Sequence, residues 1–233
     1  MPVITIDGID FDAPKYWTIL DTAKFLGIDI PTLCYHEGLS AWGGCRLCIV
    51  EIGKGKNTKI VASCVYPVEE GLVVKTASKR VIEARKLILE LLIAQCPTSK
   101  VLQDLASKMG LKRVRFKPKW EDCILCGLCV RICEEQMMAK AIGFVNSGKE
   151  LRITTPFDKT SEDCQRCGGC IYICPACTLR CDGPNPESVL CGGCINDLQP
   201  TCLEIFDNYS CWMGLKGECG TCINEKNEEK KEI

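Results

Sequence analysis

Cys123, Cys126, Cys129 and Cys133 stand in the spacing C-x2-C-x2-C-x3-C, and Cys164, Cys167, Cys170 and Cys174 repeat it, with Pro175 following. Thiolates are soft ligands that suit zinc, cuprous copper and iron-sulfur clusters. Zinc closes with four ligands and has no use for a third cysteine two residues on, repeated twice. Two [4Fe-4S] cubanes do. Three thiolates on a short loop reach three irons of one cubane, while the fourth, set off by three residues and a chain turn, reaches the neighbouring cluster. The ligand sets therefore cross: Cys123, Cys126, Cys129 and Cys174 serve one cluster, and Cys164, Cys167, Cys170 and Cys133 the other. Gly127, Gly168 and Gly169 let the backbone approach closely and aim N–H groups at the sulfurs.

A separate set stands nearer the amino terminus. Cys34, Cys45, Cys48 and Cys64 are spaced C-x10-C-x2-C-x15-C, where plant-type ferredoxins begin C-x4-C-x2-C. The first loop is longer, yet a tight central pair with a distant fourth thiol suits a [2Fe-2S] rhomb with two thiolates per iron. Gly43 and Gly44 supply pliable backbone before Cys45.

These loops need a scaffold. Val3 to Thr5 alternates like a strand, Asp7-Gly8 is a hairpin turn and Ile9 to Phe11 returns. Thr18 to Leu26 has helical spacing, ended by Gly27. Leu47 to Ile52, Lys59 to Cys64 and Leu72 to Thr76 read as strands, giving a small mixed sheet crossed by one helix. Ser78 to Ala94 reads as a helix capped by Ser78, with Val81, Ile82, Leu87, Ile88, Leu91 and Leu92 expected to pack between domains. Leu89 and Ile93 widen that apolar face, which would also suit a partner.

The composition narrows the class. Cysteine makes up 21 of 233 residues, while 46% hydrophobic and 25% charged residues are ordinary for a globular chain. A formal net charge of −1 supplies no field for nucleic acid or an anionic membrane. The longest apolar stretches, Leu87 to Ala94 and Cys45 to Val50, fall short of the roughly 20 residues of a membrane span. Met1 to Asp7 shows no secretory pattern. A cytoplasmic location, with reduced thiols, is expected.

The sequence resembles the amino-terminal iron-sulfur part of the complex I large (75 kDa-type) subunit. It is similar also to the diaphorase iron-sulfur subunit of NAD-linked nickel-iron hydrogenases and to the amino-terminal extension of iron-only hydrogenases. The resemblance rests on Pro31-Thr32-Leu33-Cys34, Cys45-Arg46-Leu47-Cys48-Ile49-Val50-Glu51, Leu102-Gln103-Asp104-Leu105-Ala106 and Cys123-Ile124-Leu125-Cys126-Gly127-Leu128-Cys129-Val130-Arg131. It covers roughly residues 1–176. It implies an α+β chain: a β-grasp [2Fe-2S] ferredoxin domain (1–77), a helical connector (78–116) and a two-[4Fe-4S] bacterial ferredoxin-like domain (117–176). One departure matters. Before the Leu-Gln-Asp-Leu-Ala helix the family carries a further [4Fe-4S] cluster on H-x3-C-x2-C-x5-C, whereas here the stretch reads Ala94-Gln95-Cys96-Pro97-Thr98-Ser99-Lys100-Val101. That cluster is expected to be absent, with Cys96 a relict thiol packed near a helix end. His36, the single histidine, is badly placed to substitute and is expected to face solvent.

The twelve thiols assigned above and Cys96 leave eight of the 21: Cys177, Cys181, Cys191, Cys194, Cys202, Cys211, Cys219 and Cys222. They lie in a Cys-rich extension (177–223) to which the resemblance does not extend. Proximity to other clusters favours iron there, the irregular spacing favours structural zinc, and unligated thiols are the third reading. Phe206, Tyr209 and Trp212 would shield such a site or form a small core. The mixed-charge run 224–233 is expected to be a disordered tail.

No G-x-G-x-x-G loop follows a strand, so nicotinamide and flavin are expected on another chain. The expectation is an electron-transfer subunit, not a catalyst. It would relay single electrons in an NAD(P)-linked complex of hydrogenase, formate dehydrogenase or flavin-based bifurcating transhydrogenase type. The resemblance implies as partners an NAD(P)H-oxidising flavoprotein subunit, a small thioredoxin-like [2Fe-2S] subunit, and a catalytic subunit or ferredoxin. A catalytic iron-only hydrogenase would need a further domain for its active-site cysteines. The alternative from another class is a zinc-stabilised scaffold or regulatory protein without redox function.

Overall fold

The computed structural model describes residues 1–55, 57–97, 99–119, 121–159 and 161–176. The Cys-rich extension and the tail therefore lie outside the described residues, as do Phe206, Tyr209 and Trp212. Strands β1 (Val3–Ile6) and β2 (Ile9–Asp12) form the expected hairpin. Its turn holds Asp7 at φ 48° and Gly8 at φ 89°, the left-handed pair that a two-residue connection demands. The helix α1 (Ile19–Phe25) begins at Thr18, whose side chain accepts the Asp21 N–H while Asp21 returns a bond to the Thr18 N–H. This reciprocal cap satisfies two otherwise orphaned donors. Beyond it, Gly27 turns the chain at φ 73°.

Strands β3 (Ile49–Lys54), β4 (Asn57–Ala62) and β5 (Leu72–Lys75) complete a five-stranded sheet of order β2-β1-β5-β3-β4. It is mixed: β1 and β5 run parallel, and the other pairs are antiparallel. Both β3 and β4 sit two residues from their expected starts. The residues displaced are Leu47-Cys48 and Ser63-Cys64, which leave the ladder to form turns. Ile4, Ile6, Val50, Ile52 and Val74 from the sheet and Ile19, Leu20 and Ala23 from α1 make the first core.

Helix α2 (Lys79–Gln95) is capped by Ser78, as expected, and α3 (Lys100–Lys108) by Ser99. The face that α2 buries is only partly the expected one. Val81 and Leu89 are buried and Ile88 and Leu92 pack against the second core, but Ile82, Leu87 and Leu91 remain 40–48% exposed. At about 100° per residue those seven apolar positions run round most of the helix, and one stripe at spacing i, i+4 meets the protein. That stripe includes Arg85, which an apolar pattern passes over.

Beyond α3, helix α4 (Leu128–Arg131) runs into one π turn, Ile132–Gln136. A two-stranded ribbon, β6 (Gly143–Val145) with β7 (Arg152–Thr154), precedes α5 (Gly169–Tyr172). A second core joins Leu33, Leu39 and Leu47 of the first cysteine loop to Leu89, Leu102, Ile124, Leu128 and Ala176. Among the described residues no helix is long and apolar enough to cross a membrane.

Candidate metal centres

The first cysteine set sits where the β3–β4 hairpin opens. Because Ile49 pairs with Ala62, the chain carries Cys48 and Cys64 out of one end of the ladder together. Their sulfurs lie 3.3 Å apart, and the Ser63 N–H donates to the Cys48 carbonyl at 3.0 Å. Cys45 donates its main-chain N–H to Cys34 Sγ at 3.3 Å. All four thiols are buried. Gly43, at φ +66°, takes a left-handed turn just before Cys45, and a Cβ on Gly44 would strike the Trp42 ring at 2.2 Å. Thus both glycines are required for this loop, one by conformation and one by space.

The thiols act as two couples. Hydrogen bonding from Cys34 draws Cys45 down to about 6, and hydrogen bonding from Cys64 draws Cys48 down to about 6. Cys34 and Cys64 are pushed far up by that same bond and by burial. Each couple brings two sulfurs within hydrogen-bonding reach, a place that a cation takes when both are thiolates. Two couples on one loop cluster match a rhomb that needs two thiolates per iron. Among the described residues no three His, Cys, Asp or Glu side chains close round a single-ion point.

The second set surrounds a cavity of about 220 Å³ whose walls include Cys123, Cys126, Cys129 and Cys174, with Ile124, Ile153 and Ala176. Burial pushes Cys126 up to about 11 and Cys129 up to about 12, and Cys174 adds to both through its charge. Main-chain N–H groups face the sulfurs here as well: Leu125 donates to Cys123 Sγ at 3.3 Å. Gly127 stands at φ +69°, and a Cβ there would meet Phe144 at 3.0 Å. Trp42 and Phe144 stack with ring centroids 5.4 Å apart, so the first and second loops share one packed joint. Indeed the charge of Cys45 reaches Cys126.

The third set lies nearer the surface. Cys164 and Cys167 are exposed, Cys133 and Cys170 half-buried. Burial raises Cys170 to about 11, with Cys167, Cys133 and Cys164 all adding to it. Ala141 donates its N–H to Cys133 Sγ at 3.3 Å. Of the three glycines expected to bring backbone to sulfur, Gly168 also stands at positive φ, 71°, while a Cβ on Gly169 would touch Ile132 and Cys167 at ordinary contact distance. His36 is exposed and accepts the Gly38 N–H at Nδ1, 3.1 Å. Cys96 is fully buried at the C-terminal cap of α2. Two residues near the thiols were missed in sequence, Arg85 and Arg131. Their signal is positional: one lies four residues after the buried Val81, the other inside a C-x3-C interval.

Comparison with known proteins bears on the first of these sets and on the family. Residues 3–79 match the family described as a 2Fe-2S iron-sulfur cluster binding domain. The chain is 34% identical over 188 residues to the NADP-reducing hydrogenase subunit HndD of Solidesulfovibrio fructosivorans, covering 68% of this chain and 32% of that one. It is 35% identical over 181 residues to the NADH-ubiquinone oxidoreductase 75 kDa subunit of Reclinomonas americana, covering 67% and 26%. It therefore spans a quarter to a third of the length of these relatives. Among solved structures, a chain of an NAD+-reducing [NiFe]-hydrogenase in the H2-reduced state superposes with a TM-score of 0.59 at 30% identity, over 66% of this chain and 74% of the other. The two paired thiol couples, the mixed sheet that carries them and these likenesses together make the chain a member of the family of iron-sulfur subunits shared by NAD-linked hydrogenases and complex I.

Proposed function

We propose that the chain relays single electrons as a subunit of a multisubunit NAD(P)-linked oxidoreductase, between a partner flavoprotein and a catalytic subunit or ferredoxin. The observation that carries this is the convergence of four buried thiols as two couples, Cys34 with Cys45 and Cys48 with Cys64. These residues would hold a [2Fe-2S] cluster; Cys123, Cys126, Cys129 and Cys174 one [4Fe-4S] cluster; and Cys164, Cys167, Cys170 and Cys133 another. When bound, such groups supply reversible one-electron chemistry at potentials that hydrogen bonds, charge and solvent exposure adjust. The chain's own share is to hold them close, exclude water from the first two and present the third near solvent.

The likenesses to subunits of NADP-reducing hydrogenase and NADH-ubiquinone oxidoreductase support a flavoprotein partner, and a thioredoxin-like [2Fe-2S] companion fits the same setting. The order of the parts is read as a ferredoxin-type unit over 1–77, a connector over 78–116 and a two-cluster unit over 117–176. The extension over 177–223 is left with its iron, zinc and unligated readings. Oxygen-free purification of the full chain, followed by iron and acid-labile sulfide analysis and electron paramagnetic resonance after dithionite, tests the proposal. The expected result is about ten irons per chain and both [2Fe-2S] and [4Fe-4S] signals. A colourless chain with fewer than about four irons would overturn it.

A further inference from the structure

Two arginines flank the first thiol site, one beside each couple. Arg85, on α2, donates from Nη2 to the carbonyl of Ile49, the residue after Cys48, at 2.6 Å. Arg131, at the end of α4, donates from Nη2 to the carbonyl of Cys34 itself at 2.6 Å and from Nη1 to the carbonyl of Ser40. Each is 6% exposed, and each keeps its Nε–H buried with no acceptor. Among the described residues neither guanidinium pairs with a carboxylate at ion-pair distance. Asp7 and Asp29 act on Arg85 only from further off, behind Cys48. Glu135, on which the Arg131 charge acts, is engaged by the Ser40 N–H and hydroxyl at 2.7 and 2.5 Å.

A buried cation with neutral partners alone is costly, because main-chain dipoles replace only part of its hydration. Two such cations, one bonded to the carbonyl of Cys34 and one to that of Ile49, next to Cys48, call for an anion at that site. A [2Fe-2S] group on four thiolates is a dianion when oxidised and a trianion after it gains one electron. In a poorly polarisable interior that added charge is the term most sensitive to nearby cations.

We propose that Arg85 and Arg131 are the counter-charges of the Cys34/Cys45/Cys48/Cys64 site, positioning residues that favour its reduced form and thereby set its reduction potential. This rests on the [2Fe-2S] reading of that site. The full chain, reconstituted without oxygen, is titrated potentiometrically while the [2Fe-2S] resonance is recorded, for the natural sequence and for Arg85→Gln, Arg131→Gln, Arg85→Lys and Arg131→Lys. Absence of that resonance in the natural sequence would refute the [2Fe-2S] reading itself. Given the resonance, each Gln variant is expected to show about a tenfold lower reduced-to-oxidised ratio at fixed potential, which is 59 mV for one electron. Each Lys variant is expected to stay within about threefold of the natural chain. Gln variants that also stay within about threefold would overturn the inference, as would Lys variants that shift as far as the Gln ones. Should the Gln variants take up no cluster, Lys variants that load and titrate normally sustain it. Lys variants that fail to load would assign the arginines a hydrogen-bonding role alone and overturn it.

Discussion

A thiol ligates metal only as thiolate, and the first two sets meet that requirement differently. Cys45 and Cys48 are drawn down to about 6 by hydrogen bonding within their couples, which favours the thiolate form. Cys126 and Cys129 sit at about 11 and 12 because burial disfavours their charge. Their folded-state values lie above the ordinary thiol value of 9.0, so between there and about 11 the folded apo chain binds more protons than the unfolded one. Its stability is complete below the lower value and falls as pH rises through that window, by at most about 1.4 kcal/mol per pH unit for each thiol. Urea midpoints of the apo chain are thus expected to drop between about pH 9 and 11, and the loaded chain, with these sulfurs ligated, to lack that component. Identical slopes in the two forms would refute it. The twelve thiols could be grouped from sequence because cysteine spacing is a local property. The arginines were not, since burial of Arg85 depends on which stripe of α2 meets β3, and that is decided by distant residues.

At the scale of elements, the signals that proved legible are those a few neighbouring residues decide. The Asp7-Gly8 turn, the Ser78 cap and the Gly27 stop all stand where sequence put them, and Thr18, the expected start of its helix, caps it. Removing the reciprocal cap by Thr18→Ala is expected to cost about 1 kcal/mol, read as a shift of the denaturation midpoint without a change in slope. The α2 face, by contrast, was ambiguous, because apolar residues run most of the way round the helix. Two substitutions separate the faces. Leu89 is fully buried, so Leu89→Ala should cost about 2–5 kcal/mol, while Leu91→Ser on the exposed side should cost less than about 0.5 kcal/mol in the isolated chain. Equal losses would mean that both faces are covered. Strand ends moved for a related reason: Cys48 and Cys64 had to leave the ladder for their sulfurs to meet, and β-propensity alone carries no trace of that demand.

Across the whole molecule, the first cysteine loop belongs to two cores at once. Its sulfurs close the end of the mixed sheet, while Leu33, Leu39 and Leu47 pack with α2, α3 and α4. Arg131, the Ser40–Glu135 bonds, the Gln136 bond to the Gly38 carbonyl and the Trp42–Phe144 stack tie that loop to the residues carrying the second thiol set. The second thiol set also requires the chain to double back. Cys174 follows Cys164, Cys167 and Cys170 closely in sequence, yet it borders the cavity of Cys123, Cys126 and Cys129. Ser99 holds the following residue there, donating to the Pro175 carbonyl at 3.1 Å from the cap of α3. Cys174→Ser is therefore expected to damage the [4Fe-4S] resonance of the Cys123, Cys126 and Cys129 set, whose thiols lie far back along the chain. The resonance of the Cys164, Cys167, Cys170 and Cys133 set should persist. Selective loss of the latter would mean that each loop ligates its own cluster, and that the return of the chain to the cavity serves packing alone.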